Sequence, residues 1–204
     1  MSMRKLVFIC IFLLVWANVA AAQSIITIEV NKSGNALWTL EKRIPLSKSE
    51  LSQWEAAKKT GQNISIYREV SEFNDTVSMF AEASQKFTNR SMDVEDFNIS
   101  NVTYDTIKTL SDGYGIIRYT FIWKNFSQTN SSLIYVGDAF PEKMPLSSED
   151  VLILRIPEGY DVQNSTPTFD KREGNDLIWD RTLFRNFSKG EPSLVLSNTN
   201  VSAL

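Results

Sequence analysis

From Tyr114 to Phe126 apolar and polar residues alternate. Ile117, Tyr119, Phe121 and Trp123 fall on one face; Arg118, Thr120 and Lys124 fall on the other, with Ile116 and Ile122 among them. A period of two in aromatic and β-branched residues predicts a half-buried antiparallel strand. Each bulky ring brings on the order of 150–250 Å² to bury. A face that heavy must meet the main core, which predicts a central place in a sheet.

Upstream, Ser24 to Val30 alternates through Ile26, Ile28 and Val30. Asn31-Lys-Ser-Gly-Asn35 is a turn signal, and Ala36 to Ile44 resumes the pattern through Trp38 and Leu40, so a hairpin is expected. Pro45 is expected to end its second strand. Ser47 and Glu50 then form a capping box, with Leu46 and Leu51 as hydrophobic staple, and open a helix that Gly61 can close. From Ile64 to Phe87 apolar residues recur at steps of three and four through Ile66, Val70, Phe73, Val77, Phe80 and Ser84, which predicts one long amphipathic helix. Its polar side is mainly acidic, unlike a membrane-surface helix, so its apolar side is expected to pack on the sheet.

Strands return at Met92 and Val94. The phase then changes through Phe97, Ile99, Val102 and Tyr104, which implies a bulge or break near Glu95. Leu133 to Val136, Val151 to Ile156, Leu177 to Trp179 and Ser193 to Ser197 supply further strands. With the helices in one block at about residues 47–88, between strands 2 and 3, the expected class is α+β or mainly β. The expected architecture is an antiparallel, β-sandwich-like sheet of about eight to nine strands with a two-helix insertion, and not a parallel βαβ fold.

The 204-residue chain suits one domain, and 43% hydrophobic with 22% charged residues is a globular balance. Arg4 and Lys5 precede an apolar run from Leu6 to Ala17, and Ala20-Ala21-Ala22 follows before Gln23. This is the pattern of a secretory signal peptide over 1–22, leaving one extracellular domain over 23–204. The alternative is an uncleaved N-terminal anchor: Leu6 to Ala22 is 17 residues, the short limit for spanning a bilayer. Either way Arg4 and Lys5 stay inside and the body lies outside the cytoplasm. Removing 1–22 takes away both of those cations and no acid, so the net charge goes from −3 to −5. It also removes Cys10, the only cysteine, so the domain must hold itself without a disulfide.

Eleven of the 15 asparagines begin N-x-S/T with x not proline: Asn31, Asn63, Asn74, Asn89, Asn98, Asn101, Asn125, Asn130, Asn164, Asn186 and Asn200. The Ser and Thr content would give roughly three by chance. The excess argues for an N-glycosylated surface protein rather than merely Asn-rich loops. Asn98 and Asn101 are too close for both to be used. The candidate acceptors are Asn63, Asn89, Asn125, Asn130, Asn164 and Asn186.

The chain has no histidine, which excludes Ser-His-Asp and Cys-His catalysis, histidine bases and the usual His/Cys zinc sites. There is no P-loop, no dinucleotide fingerprint and no G-x-S-x-G. No basic cluster suggests nucleic acid. Asp93-Val-Glu-Asp96 lacks the spacing and glycine of a calcium loop and reads as a solvated strand end. No catalytic, cofactor or metal residue is assigned, and no enzyme is expected. A carboxylate-only glycoside hydrolase would need two converging acids about 5 to 9.5 Å apart, with Asp138, Glu142, Asp176 and Asp180 as the candidates.

Three groups of positions carry a resemblance. The first is Trp38-Thr-Leu-Glu41 after a glycine-containing hairpin, then Asn89-Arg-Ser-Met92. The second is Tyr119-x-Phe121-x-Trp123-x-Asn125-Phe126, then Gly137-Asp-x-Phe140. The third is Pro157-x-Gly159-Tyr160, Pro167, Leu177-x-Trp179 and Pro192. Over roughly residues 25–197 the chain resembles the extracellular domain of archaeal predicted membrane-associated transcriptional regulators. Those proteins continue into a transmembrane helix and a cytoplasmic winged-helix domain. The residues after Pro192 hold neither an apolar run of about 20 residues nor a basic helix-turn-helix, so the regulator function is not carried over. The resemblance implies a stand-alone secreted relative or a receptor ectodomain.

The expected function is therefore a non-enzymatic secreted or cell-surface domain that binds a protein or an envelope component, or senses the envelope. A structural envelope component is the alternative. N-terminal sequencing of the native protein is expected to start at Gln23; an intact Met1 on protein recovered from the cytosol would overturn the export reading.

Overall fold

The computed structural model describes residues 24–46, 49, 52, 53, 56, 64–104, 113–141, 150–180 and 187–199. Its elements are β1 (Ser24–Val30), β2 (Ala36–Leu46), α1 (Ile64–Thr88), β3 (Asp93–Tyr104), β4 (Gly113–Lys124), β5 (Gln128–Thr129), β6 (Leu133–Val136), β7 (Val151–Arg155), β8 (Tyr160–Thr166), β9 (Lys171–Glu173), β10 (Asp176–Trp179) and β11 (Ser193–Asn198). The described residues are mostly β, in two sheets and one helix. A seven-stranded sheet runs β3-β4-β2-β1-β7-β10-β9, and a four-stranded sheet runs β5-β6-β11-β8.

The hairpin forms as the alternation requires. Asn31 closes it: its Oδ1 accepts from the Ser33 and Asn35 backbone N–H groups, and Gly34, at φ +84°, takes the left-handed position. Trp38 sits opposite Ile28 on one side and Phe121 on the other. The strand does not stop at Pro45; it runs to Leu46, with Pro45 opposite Tyr114. The reason is that β1 ends its pairing at Lys42. Beyond that point β2 has a neighbour on one side only, where a residue without an N–H is tolerated.

The phase change in β3 is a bulge. Its register against β4 shifts between Glu95 and Asn98, with Asp96 in the left-handed region. The helix α1 is found as the periodicity predicts. The first helix of the expected pair lies mainly outside the described residues, though Ser49, Ser52, Gln53 and Ala56 carry helical backbone and the Ser52 hydroxyl donates to the Ser49 carbonyl.

Three other expectations need correction. There are eleven described strands, not eight or nine. β5 and β9 are two and three residues long, and β8 alternates only through Tyr160 and Val162 before turning polar. The larger sheet is not wholly antiparallel, because β1 pairs parallel with β7. That pairing also makes β1 the middle strand, and β4 lies second from the margin.

One face of the larger sheet meets both α1 and the smaller sheet. Phe73 of α1 contacts Phe97, Tyr119 and Phe121, and Phe80 meets Trp123 edge-on. The Ser84 hydroxyl, fully buried, bonds the Ala139 carbonyl at 2.7 Å. Phe87, expected on the same apolar stripe, is instead half exposed beneath the Lys189 ammonium. From the smaller sheet, Ile134, Val136, Leu194 and Leu196 join Ile28, Leu152, Leu154 and Leu177 in a single buried cluster. Trp38 anchors it, with its ring 5.5–6.2 Å from those of Phe121, Trp123, Phe126 and Phe140.

Arg90 ties the loops around this cluster. Its Nε donates to the Asn125 carbonyl and one Nη to the Phe126 carbonyl, each at 2.9 Å, while both Nη groups bond the Asp138 carboxylate. Gly137, next in chain to Asp138, has φ +119°, and a Cβ there would lie 2.7 Å from the Gly190 carbonyl oxygen. Only glycine satisfies both constraints.

At the far margin an ion pair joins the two sheets. The Arg172 guanidinium on β9 donates to Asp161 on β8 at 2.6 Å. That bond, with the Val162 N–H second, holds the Asp161 carboxyl below the usual range. Its folded pKa lies below its unfolded one. The stabilisation is therefore present above the unfolded value, about 3.9, and is lost as pH falls through the folded value. Both side chains are well exposed, so screening keeps it small.

Trp38→Ala should destabilise the domain by about 3–5 kcal/mol and Arg90→Ala by about 1–3 kcal/mol, read from urea unfolding midpoints. In an NMR titration the Asp161 carboxyl should ionise below about 3.9 and return towards that value in Arg172→Ala; identical curves for the two proteins would contradict the pairing.

Candidate functional site

The opposite face of the larger sheet is where charged and hydroxyl side chains collect. Residues that alternate with the core set point there, and the register aligns them in rows across the strands. Thr120, Thr39 and Thr27 form one row across β4, β2 and β1, continued by Ile153 and Ile178 on β7 and β10. Ile122, Leu37, Glu29, Arg155 and Asp176 form the next. Arg118 and Glu41 stand opposite each other in a third.

Between these rows lies a shallow, open depression of about 400 Å³, lined by Thr27, Glu29, Leu37, Thr39, Glu41, Arg118, Thr120 and Arg155. Two ion-pair groups flank its threonine floor. Arg118 donates to a Glu41 carboxylate oxygen from Nε at 2.8 Å and from Nη2 at 2.6 Å. Arg155 makes a two-pronged bond to Asp176 at 2.7 and 2.9 Å and a longer one to Glu29 at 3.3 Å. The Asp176 hydrogen bond, with Glu29 behind it, raises the Arg155 pKa above that of an ordinary guanidinium.

Chemically this surface offers hydroxyl donors and acceptors, a partly exposed Leu37 and nearly balanced charge. Such a mixture suits contact with a polar, roughly neutral surface and gives no preference for polyanions. Nothing in the sequence singled out the depression. Its residues belong to four strands, and only the pairing register brings them together.

The sites that the sequence did suggest are placed as follows. Asn89 and Asn125 are exposed and occupy left-handed backbone positions, at φ +53° each. The Asn125 amide nitrogen, the atom that a glycan would use, donates to the Ser91 carbonyl. Asn130 is exposed beside β5, its Oδ1 accepting from the Ser132 and Leu133 N–H groups. Asn164 is exposed on β8. Asn63 and Asn186 lie outside the described residues.

Of the four candidate acids, Asp138 is held by Arg90 and Asp176 by Arg155. Asp180 follows β10, its N–H bonded to Asp170, and Glu142 lies outside the described residues. Glu95, in the acidic strand end, is paired with Lys124. Among the described residues no three Asp, Glu, Cys or His side chains are placed to share a metal ion, and no helix is long and apolar enough to cross a membrane.

A sequence comparison with curated proteins finds no match. The crystal structure of an M1 zinc metallopeptidase from Deinococcus radiodurans aligns over 86% of this chain at 9% identity and a TM-score of 0.34. The alignment takes in 41% of that enzyme, and a likeness of this size bears on neither fold nor activity. A family model matches residues 27–160, from β1 to the first residue of β8, so β9, β10 and β11 fall past its end. With two thirds of its length matched, the chain belongs to the family described as a domain of unknown function, DUF7345.

Proposed function

We propose that this chain is an exported, N-glycosylated, sandwich-like domain that works by contact at the cell surface, binding a protein or envelope component or sensing the envelope. The open face of the seven-stranded sheet is its contact surface. One observation carries the reading. Of the eleven sequons none begins within β1, β2, β4 or β7, the four strands that line the depression on the open face. The sequons on described residues lie instead on turns, on α1 and on the marginal strands β3 and β8. Glycans there would border the depression without filling it, with Asn98 at its rim, opposite Thr120.

The signal-peptide pattern and the resemblance to the extracellular domain of archaeal membrane-associated regulators support the same reading. So does the chemistry of the face, whose carboxylates are engaged by arginines. The carboxylate hydrolase has less support, since two of its four candidate acids are committed to separate ion pairs on different elements. A structural envelope component shares every feature except reversible binding.

The test is saturable binding of the purified, labelled protein to native cell envelopes. Leu37→Lys and Thr39→Lys place a long cation on the face without entering the core and should weaken binding about tenfold, or about 1.4 kcal/mol. Asn130→Gln, away from the face, should leave it unchanged. Folded face variants that bind as tightly as the native protein would overturn the assignment; tight retention of the native protein in a detergent-resistant envelope layer would favour the structural component.

A further inference from the structure

Among the described residues the two sheets leave four margins: β3 and β9 on the larger, β5 and β8 on the smaller. A strand with one neighbour presents unpaired N–H and C=O groups to any other strand that approaches. The two long margins are β3, with 12 residues, and β8, with 7. Each carries a sequon inside the strand, Asn98 or Asn101 on β3 and Asn164 on β8. Both strands are bulged beside that asparagine. The β3 register breaks between Glu95 and Asn98, and the β8 register skips Gln163, immediately before Asn164. Both Asn98 and Asn164 are exposed. The third margin, β5, is two residues long and is bracketed by the sequons at Asn125 and Asn130. The fourth, β9, has no sequon but consists of Lys171, Arg172 and Glu173, all exposed. Short, charged strands need no further protection against strand addition.

We infer that the sugars on β3 and β8 are edge guards: N-glycans at Asn98 or Asn101 and at Asn164 keep the long sheet margins from pairing with other chains. The inference rests on the glycoprotein reading above and adds to it which sites matter and why. The modification is transfer from a lipid-phosphate-linked sugar. The asparagine amide nitrogen bonds the anomeric carbon and loses one proton. The bond from that carbon to the phosphate oxygen breaks, and the lipid phosphate leaves with the electron pair. The sugar then projects from a strand whose bulge already disturbs its ladder, so a bulky polar group and a local irregularity act at one position.

The experiment uses the full chain secreted from a host that N-glycosylates. Glycopeptide mass spectrometry should find sugar at Asn164 and at one of Asn98 and Asn101. The triple variant Asn98→Gln, Asn101→Gln, Asn164→Gln should then associate as concentration rises, reaching about twice the monomer mass or more by light scattering. Ser33→Ala with Ser91→Ala, which removes the sequons at Asn31 and Asn89 while keeping both asparagines, should stay monomeric. Asn98→Lys with Asn101→Gln and Asn164→Lys should restore the monomer without sugar, because a charged side chain guards an edge by the same exclusion. Sugar at other sequons with bare β3 and β8 would overturn the inference alone. So would a folded triple-Gln variant that stays monomeric. Native protein with no sugar anywhere would overturn the glycoprotein reading, and this one with it.

Discussion

The contact on which the structure depends is the packing of Trp38 against four other rings. Among the described residues Trp38 joins the strand beside it, through Phe121 and Trp123, to the two loop aromatics Phe126 and Phe140. Phe121 and Trp123 in turn receive Phe73 and Phe80 from α1. Sheet, helix and loops therefore meet in a continuous aromatic layer. With no cysteine past Cys10, that layer does the work a cross-link does in many exported domains. The indole N–H groups of Trp38 and Trp123 are buried in it with no acceptor among the described residues, so part of the gain from burial is offset.

Around the aromatic layer the loops are fixed by polar bonds. Arg90 holds two backbone carbonyls and the Asp138 carboxylate. Asn125 bonds Ser91, and its own N–H is taken by Asn35. The marks that gave the sequence its family resemblance, among them Trp38, Arg90, Trp123, Phe126, Asp138 and Phe140, converge on this knot. They specify how the layers join. The outward-facing threonines and ion pairs of the larger sheet lie on its other side, so fold-determining and contact-making residues are divided between its two faces.

Legibility followed the same division. The hairpin, α1 and β4 could be read because each repeats an apolar position at its own period over seven residues or more. The bulge near Glu95 could be read because it reverses that period. β5, β8 and β9 could not, since two are very short and β8 is polar past Val162, which leaves too few apolar positions to show a period. The parallel partnership of β1 with β7 had no local signal at all, and with it went the middle of the sheet. The open face was invisible for a related reason. Thr27, Thr39 and Thr120 are unremarkable one by one, and only the pairing of three strands sets them in line.

The β1–β7 partnership also governs the order in which the molecule can be completed. The Ser24 N–H is bonded to the buried Asp150 carboxylate across 126 positions of chain, and Ile25 to Glu29 lie beside Val151 to Arg155. As the chain is made from its N-terminus, β1, β2 and β4 are complete long before their neighbours on the other flank. The half-sheet must wait, with one side of β1 unpaired, until β7 arrives and closes a loop of that length. The N-terminal flank of the domain is thus the first part made, yet it stays open until more than half of the chain has followed it.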